Sequence, residues 1–306
     1  MSIVVNTNVA SMNAQRSLAS SGKDLQQAME RLSTGSKINS AADDAAGFAI
    51  AESMTAQVRG LSMSAKNASD ALGLLKVVEN ATNDVTDMLQ RIRELAVQAQ
   101  SGTNSTKDIA NLQQEANALI DEIGRVSTDT KYNGNSYIGS GAGTINIQVG
   151  YNDGDTIAIT TYDVKAESLG VMVTDLTSAT VDDKTLVALK AGGVYLDISQ
   201  TATAASGVEG SGTNKVPGAL EVITGAIDQV AGYKAAWGAG QNRLEYTVSN
   251  LMNVVEFTTA ARSRIQDADF AQEAAKLAKA QVLQQTGAAM LAQANAAPQL
   301  ALQLIK

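Results

Sequence analysis

The chain has 306 residues, a formal charge of −8 at pH 7 and an aromatic content of 4 %, and it contains neither cysteine nor histidine. An acidic chain lacks the clustered cations that displace counterions from nucleic acids, so we expect no DNA or RNA partner. Without cysteine or histidine it has no disulfide, thiol nucleophile, Cys/His metal site or imidazole base, so we expect no catalytic site, cofactor or metal.

The sequence predicts no membrane partner. The N-terminal stretch MSIVVNTNVASMN lacks the basic and apolar regions of a secretory signal. No run of apolar residues reaches the roughly 18 that a membrane-spanning helix needs. We therefore expect any export to use a signal that is not cleaved.

A long helix is the first predicted element. It is expected from about Ala45 to Gln100, which at 1.5 Å per residue is roughly 80 Å, so it should lie along a rod. Small and apolar residues recur at alternating steps of three and four, the heptad pattern of a packed seam. The seam comprises Leu61, Ala68, Ala71, Leu75, Val78, Thr82, Val85, Leu89, Ile92, Ala96 and Ala99.

A shorter helix is predicted to fold back antiparallel to the first. Residues 101–104 supply a turn, and Ser105 or Thr106 can cap the helix that follows. The turn signature Tyr132-Asn133-Gly134-Asn135 marks its end. Its seam comprises Ile109, Leu112, Ala116, Leu119, Ile123 and Val126.

The middle of the chain changes to a period of two. Two alternating apolar runs flank the turn residues 152–155 and predict a β-hairpin. A weakly periodic stretch at 169–216, rich in Gly, Ser, Thr and Asp, is predicted to be a small β or loop region. The hairpin runs are Ile145, Ile147, Val149 and Ile157, Ile159, and a further strand is indicated by Val194, Leu196 and Ile198.

A return helix is predicted to start at Pro217, because a proline in the first helical turn loses no hydrogen bond. Helical character then continues towards the C-terminus, so both chain ends should lie at the same end of the rod. Lys234 and Gln241 are the imperfect positions of its seam. The seam comprises Leu220, Ile223, Ile227, Val230, Lys234, Trp237, Gln241, Leu244, Val248, Leu251 and Val255.

Each terminal arm carries only a thin apolar stripe. Leu18, Leu25, Met29 and Leu32 form the first, and the second is rich in leucine after Met290. At about 25 cal/mol per Å², such stripes do not offset an ordering cost of about 1–2 kcal/mol per residue. We expect the arms to be mobile in a single chain and to order when neighbouring copies supply partners.

The stretch RLSTGSKINSAADDAAGFAIAESM, residues 31–54, interrupts the helical pattern. Its adjacent carboxylates, Asp43 and Asp44, invite comparison with a glycosidase or metal site. Adjacent helical residues do not face each other, however, and no second acidic cluster or histidine accompanies them. A structural joint is therefore the preferred interpretation.

The joint needs particular residue types. Gly35 and Gly47 permit a bend and a close backbone approach. Asn39 and Ser40 can cap the helix that follows. Asp43 and Asp44 would then lie in its first turn, where the helix dipole favours negative charge.

Four stretches of the chain are distinctive when taken in order. They are NTNVASMNAQRSL (6–18), RLSTGSKINSAADDAAGFAIA (31–51), LQRIRELAVQAQSGTNS (89–105) and ARSRIQDADFAQE (261–273). Together they resemble bacterial flagellin, and the resemblance covers roughly residues 1–165 and 220–306. The hook–filament junction protein is similar at the termini, but the sequence from Arg91 to Leu95 fits flagellin better.

The resemblance implies a structural subunit of the flagellar filament, which polymerises outside the cell into a helical tube used as a propeller. The implied fold is mainly α, an elongated antiparallel coiled-coil bundle formed by both termini, with a small β-hairpin-containing region in the middle. Residues 1–43 and 265–306 would form a terminal core domain. Residues 44–168 and 217–264 would form a rod domain, and residues 169–216 a reduced outer region. The implied partners are other copies of the chain, the export apparatus and its chaperone, and the filament cap and hook-junction proteins.

The resemblance also implies three sets of functional residues. One set would serve filament packing and recognition by a vertebrate innate receptor, although Arg91 and Glu94 can also be read as solvated helix residues. A second would enter the filament core, and a third would accept O-linked sugars, although ordinary loop polarity explains the third equally well. The sets are Gln90, Arg91, Glu94, Leu95 and Glu115; Leu300, Leu302, Leu304 and Ile305; and Thr174, Thr177, Ser178 and Thr180.

Two other functions stay open at this point. A low-copy hook–filament junction protein or another secreted coiled-coil adaptor would share the helical pattern, but it would be scarce in sheared extracellular protein. An enzyme in the middle region is disfavoured, because the chain has no histidine or cysteine.

Overall fold

A computed structural model describes residues 7–171, 203–204, 215–216 and 218–303, and it describes side chains for residues 7–171 and 218–296. The helices are α1 (Val9–Thr34), α2 (Ala45–Ala99), α3 (Thr106–Asp129), α4 (Ala219–Gln266) and α5 (Phe270–Gln303). The strands are β1 (Lys131–Tyr132), β2 (Asn135–Ser136), β3 (Thr144–Gln148), β4 (Thr156–Thr160), β5 (Thr203–Ala204) and β6 (Lys215–Val216). The prediction of a mainly α fold with a hairpin-containing middle is confirmed.

Contacts divide the chain into two compact units. One comprises Met1–Gly60 with Asn253–Lys306, and the other comprises Leu61–Met252. We call them the terminal unit and the central unit. The domain boundaries predicted from the sequence lie near the start of α2 and the end of α4, and they stay a prediction. In the described part of the chain, no helix is long and apolar enough to cross a membrane.

The core of the central unit is the predicted heptad seam of α2. Every predicted seam residue of α2 is buried. The same core contains Ile120 and Ile123 of α3 and Val230 and Leu244 of α4. One row of small and branched side chains therefore shares a core with two other helices, which supports α2 from Leu61 to Ala99.

The helix α3 starts as predicted but packs slightly differently from the prediction. Ser105 is its N-cap, and a capping box forms because Asp108 accepts the backbone N–H of Ser105 in return. The buried line of α3 is Ala116, Ile120, Ile123 and Ser127, so the predicted Ile109, Leu112, Leu119 and Val126 lie half-buried beside it.

The predicted hairpin is confirmed, with Ile145 opposite Ile159 and Ile147 opposite Ile157. An aromatic cluster that the sequence analysis did not predict ties it to α4. The indole Nε1 of the buried Trp237 donates a hydrogen bond to the Thr160 carbonyl oxygen at 3.0 Å. Beside it the rings of Tyr162 and Tyr233 stack with their centroids 4.2 Å apart.

The predicted turn after α3 is also confirmed. Asn133 and Gly134 have φ angles of 50° and 82°, the left-handed backbone that a two-residue hairpin turn requires. The turn joins β1 to β2, and the Tyr132 hydroxyl donates to the Asp70 carbonyl oxygen at 3.2 Å. It thereby fastens the end of α3 to α2.

The return helix α4 begins at Ala219 and buries five of the predicted seam residues, Ile223, Val230, Trp237, Leu244 and Leu251. Gln241 is a polar residue on the seam, and its side-chain Nε2 donates a hydrogen bond to Glu79 Oε2 at 2.8 Å. Pro217 and the strand predicted at Val194, Leu196 and Ile198 lie outside the described residues.

Candidate assembly site: the terminal helix pair and its joint

In the terminal unit, α1 and α5 pack antiparallel. At one end, Asn8 Nδ2 donates to the Ala294 carbonyl oxygen at 2.7 Å. At the other, Arg31 approaches Glu273 to 3.4 Å. The start of α1 therefore lies beside the end of α5, and the two arms pack against each other within one chain.

The seam of this pair follows heptad spacing but is made largely of small and polar residues. Its buried members include Ser11, Ser21 and Ala28 of α1 and Glu273 and Ala280 of α5. The Ser11 hydroxyl donates to Asn295 Oδ1 at 2.8 Å. The seam leucines of the pair are only half-buried, namely Leu18, Leu25, Leu32, Leu277 and Leu291.

Large apolar side chains instead point away from the seam. Met29, which the sequence analysis placed on the α1 stripe, is 55 % exposed, so that assignment is wrong. The reason is geometric, because the heptad continues from Leu25 through Ala28 to Leu32 and leaves Met29 on the adjacent face. The exposed large apolar residues of the pair are Val9, Met12, Met29, Phe270, Val282, Leu283 and Met290.

A groove of about 520 Å³ lies along one side of the pair. On the α1 side its wall is polar and includes Asn13, Ser17 and Asp24. On the α5 side it carries the apolar Leu283 and Met290. The terminal pair therefore presents an amphipathic depression bordered by unpartnered apolar groups.

The joint after α1 is a backbone clamp. Gly35 has a φ of 72° and ends α1 in the left-handed conformation that glycine adopts without strain. The Lys37 N–H then donates to the Gln266 carbonyl oxygen at 2.6 Å, and the Ala268 N–H donates to the Gly35 carbonyl oxygen at 2.9 Å. The predicted joint residues therefore lie where the end of α1 pairs with the link between α4 and α5.

The two joint carboxylates act differently from the prediction. Asp44 precedes α2 and caps it, with Oδ1 accepting the Gly47 N–H at 2.9 Å. Asp43 Oδ2 accepts the Asn39 and Ser40 N–H groups at 3.2 and 3.0 Å. The expectations that Asn39 and Ser40 cap α2 and that both carboxylates lie inside its first turn are wrong.

Backbone donors stabilise the charged form of Asp43. Its bonds from the Ser40 and Asn39 N–H groups hold the pKa of the Asp43 carboxyl below its ordinary value. Among the described residues, no group of three or more acidic side chains is arranged to hold a metal ion. Asp43 and Asp44 thus organise the loop.

A second charged cluster fastens α1 to α5 beside the joint. The buried Glu273 accepts Lys276 Nζ at 2.7 Å and Arg31 at 3.4 Å, while Arg31 also lies 4.0 Å from Asp43. The hydrogen bond from Lys276 and the charges of both cations outweigh burial and hold the pKa of Glu273 below its ordinary value. No sequence spacing signalled this contact, because Arg31 and Glu273 are far apart in the chain.

The implied recognition residues form a cluster in the central unit. Arg91 donates through Nε and Nη2 to Glu115 Oε1 at 3.0 and 2.8 Å, and through Nη1 to Glu94 Oε2 at 3.0 Å. Both carboxylates raise the pKa of the Arg91 guanidinium. Gln90 is exposed nearby in sequence, whereas Leu95 is fully buried in the core, so its assignment to an exposed surface is wrong.

Two other implied sets are only partly covered by the structure. Leu300 and Leu302 fall within α5, but their side chains and all of Leu304 and Ile305 lie outside the description. The candidate glycosylation residues also lie outside the described residues, namely Thr174, Thr177, Ser178 and Thr180. Both assignments stay predictions.

Replacing Gly47 with alanine should loosen the joint. The added Cβ would lie 2.5 Å from Asp44 Oδ2 and 2.7 Å from Ile38 Cδ1, which is closer than van der Waals contact permits. Ile38 is buried and Asp44 caps α2, so shifting either side chain disturbs the joint, whereas an alanine inside α2 gains about 0.5–1 kcal/mol. We expect a net loss of about 1 kcal/mol in local unfolding free energy. Amide hydrogen exchange at Lys37 and Ala268 measures it.

Gly22→Ala is the matched control for that substitution, because nothing lies within 4 Å of the Cβ it would add. An alanine inside α1 should stabilise the helix by about 0.5–1 kcal/mol. Equal exchange rates in the Gly47 and Gly22 variants would show that the joint is not tightly packed.

Glu273→Gln should lower thermal stability at neutral pH and lose that effect in acid. A carboxylate with a lowered pKa stabilises the fold above its ordinary value of 4.5, and this contribution disappears as pH falls through the lowered value. The difference in midpoint between wild type and variant, measured by circular dichroism from about pH 6 to about pH 2.5, should therefore shrink below about pH 4.5. A constant difference would exclude ionised Glu273 as its source, and exposed Glu52→Gln serves as the control.

Comparison with known proteins identifies the family. Residues 5–141 match the bacterial flagellin N-terminal helical region, and residues 220–305 match the bacterial flagellin C-terminal helical region. Flagellin of Bacillus subtilis (strain 168) is 38 % identical over 317 aligned residues, which cover 99 % of this chain and 99 % of that protein. Flagellin of Halalkalibacterium halodurans is 36 % identical over 304 residues, covering 99 % of this chain and 100 % of that protein.

The crystal structure of Bacillus cereus flagellin is similar to 61 % of this chain and 88 % of its own, with 24 % identity and a TM-score of 0.43. The family matches span most of the chain at both termini, and the relatives match it from end to end. They favour a filament subunit over a junction protein or an enzyme. The chain belongs to the bacterial flagellin family and is a structural subunit of the flagellar filament.

Proposed function

We propose that copies of this flagellin join through the outward apolar side chains of the α1–α5 pair. The supporting observation is the inverted distribution of side chains. Small and polar residues fill the buried seam, whereas Met12, Leu283 and Met290 are exposed. Without a further partner, the large apolar side chains of this helix pair would stay in contact with water and contribute little to stability.

The pair offers two different surfaces, and this favours a filament. On α1 the exposed apolar residues lie near its start and at Met29, and on α5 they border the groove at Leu283 and Met290. A surface on one copy that meets a different surface on the next makes a heterologous contact, which need not close into a ring. Repetition of such a contact builds a helical tube.

Assembly would then complete the packing of the arms. The half-buried Leu18, Leu25 and Leu277 limit what the pair gains alone. Contacts with neighbouring copies would bury apolar area that the single chain leaves exposed. The two arms already pair within one chain, contrary to the expectation that they are mobile until copies meet. Neighbouring copies would therefore extend an existing helix pair rather than create it.

The family places the subunit in a filament outside the cell. Export without a cleaved signal peptide, and contacts with the export apparatus, its chaperone, the filament cap and the hook-junction proteins, belong to the proposal. The terminal pair is the natural surface for a chaperone, because it exposes the apolar groups that must not associate before export.

Leu283→Glu should block filament formation while leaving the monomer folded. The exposed leucine becomes a charge that would have to be buried between copies, which costs several kcal/mol when unpaired. We expect no filaments by electron microscopy, with unchanged helical circular dichroism. Trp237 is the only tryptophan, so its fluorescence reports whether the central unit stays intact.

Asn242→Asp is the control, because it adds the same charge at an exposed position of α4 that belongs to none of the implied packing residues. It should assemble like wild type. Normal filaments from the Leu283 variant would rule out this face as the contact between copies.

The Arg91 cluster supports recognition as a second function. Arg91, Glu94 and Glu115 remain substantially exposed although they pair with one another. The ion pairs hold the guanidinium over the space between α2 and α3, so a partner meets a pre-ordered group. We propose that this cluster, without the buried Leu95, meets the vertebrate innate receptor.

Arg91→Ala should weaken binding to the receptor ectodomain by at least about tenfold, because an ordered arginine often dominates an interface. Arg125→Ala is a matched control, since Arg125 is also exposed and also pairs with two carboxylates, Glu122 and Asp129. The affinities are measured by surface plasmon resonance. Equal affinities of the two variants for the receptor would show that Arg91 does not contribute to binding.

A further inference from the structure

The sulfur chemistry of this chain is confined to methionine, because it has nine methionines and no cysteine. Thioethers are oxidised reversibly to sulfoxides, and exposure decides which of them react. Met88 packs against the core. The exposed methionines are Met12, Met29, Met63, Met252 and Met290.

Met290 combines exposure with position. It is 66 % exposed, more than the other methionines whose side chains are described. It also lines the groove between α1 and α5, next to Leu283 and opposite Ser17. An oxidant therefore reaches its sulfur freely in the single chain, although the same side chain borders the face proposed to be buried between copies.

We infer that Met290 is an oxidation site whose sulfoxide prevents the terminal pair from entering a filament. The inference rests on the proposed assembly face. The oxidant class is a peroxide, with hydrogen peroxide as its simplest member. The Met290 sulfur attacks one peroxide oxygen, so an S–O bond forms as the O–O bond breaks. The proton of the attacked oxygen passes to the departing hydroxide, which leaves as water, and sulfur loses the two electrons that peroxide gains.

The consequence differs between the free and the assembled chain. In the free chain the sulfoxide oxygen points into a solvent-open groove with a polar wall that includes Asn13 and Ser17, so water and side chains satisfy it. Between copies the same oxygen would be buried where an apolar group fits, and it would lack a donor. Oxidation should therefore leave folding intact and oppose assembly.

The test uses the wild-type chain after mild peroxide treatment that oxidises each exposed methionine in part of the molecules. Filaments are grown, pelleted and digested, and mass spectrometry compares the sulfoxide fraction at each methionine in the pellet and in the supernatant. We expect Met290 sulfoxide to be depleted in the pellet at least about fivefold, the effect of roughly one unsatisfied buried polar group. Met63 and Met252, which are exposed in the central unit, should show much less depletion.

Equal Met290 sulfoxide fractions in pellet and supernatant would overturn the inference. Reduction of the supernatant by methionine sulfoxide reductases should restore assembly, because the sulfoxide is their substrate. Failure to restore assembly would also contradict it. Unchanged helical circular dichroism after oxidation separates this effect from unfolding.

Met290→Gln and Met290→Leu separate this inference from the proposed function. Leucine keeps an apolar side chain of similar volume and should assemble normally, whereas glutamine is polar without oxidation. If Met290→Gln assembles like wild type, residue 290 is not buried between copies, and both proposals fail at this residue. If Met290→Gln is impaired but the sulfoxide is distributed equally, only the oxidation inference fails.

Discussion

The close packing of α1 against α5 through small and polar residues is the constraint on which the terminal unit depends. Ser11, Ser21, Ala28 and Ala280 let the two helices approach, and they contribute little apolar area. A seam of this kind aligns two helices without burying their large hydrophobic side chains. The larger residues remain outside, where only another molecule can cover them, and a subunit whose packing is incomplete alone is suited to polymerisation.

Polar contacts compensate for the weak seam by fixing its register. Asn8 and Ser11 reach Ala294 and Asn295 at one end, and Arg31 reaches Glu273 at the other. Directional contacts at both ends penalise any slippage of one helix along the other, whereas small side chains alone would tolerate it. The pair can therefore present its apolar face in one arrangement.

The central unit follows a different rule. Its seam is a continuous row of buried small and branched residues, and the aromatic cluster at Trp237 fixes the hairpin on α4. This unit needs no neighbour to complete its core, and its surface carries satisfied ion pairs such as Arg91 with Glu115. One chain thus combines a self-sufficient unit with one that retains exposed apolar contacts for its partners.

Periodicity along the chain was enough to determine the course of α2, the hairpin β3–β4 and the turn at Asn133-Gly134, because each depends on residues that are close in sequence. The resemblance to flagellin in the terminal stretches likewise identified the family before any fold was known. Tertiary structure alone decided which face a residue occupies. The packing of α1 on α5 selects the heptad that runs through Leu25, Ala28 and Leu32 as the buried line, so Met29 lies outside the seam. Leu95 is buried because the core of the central unit covers it.

The same holds for contacts between distant residues. Sequence spacing placed Asp44 at the start of α2, and the structure shows that it caps the helix from outside, because its Oδ1 accepts the Gly47 N–H. Arg31 and Glu273 form a pair only because the two arms fold back on each other. Local sequence patterns determine which secondary structure each segment can form. Long-range packing then decides which side chains of that segment stay exposed for contact with another subunit.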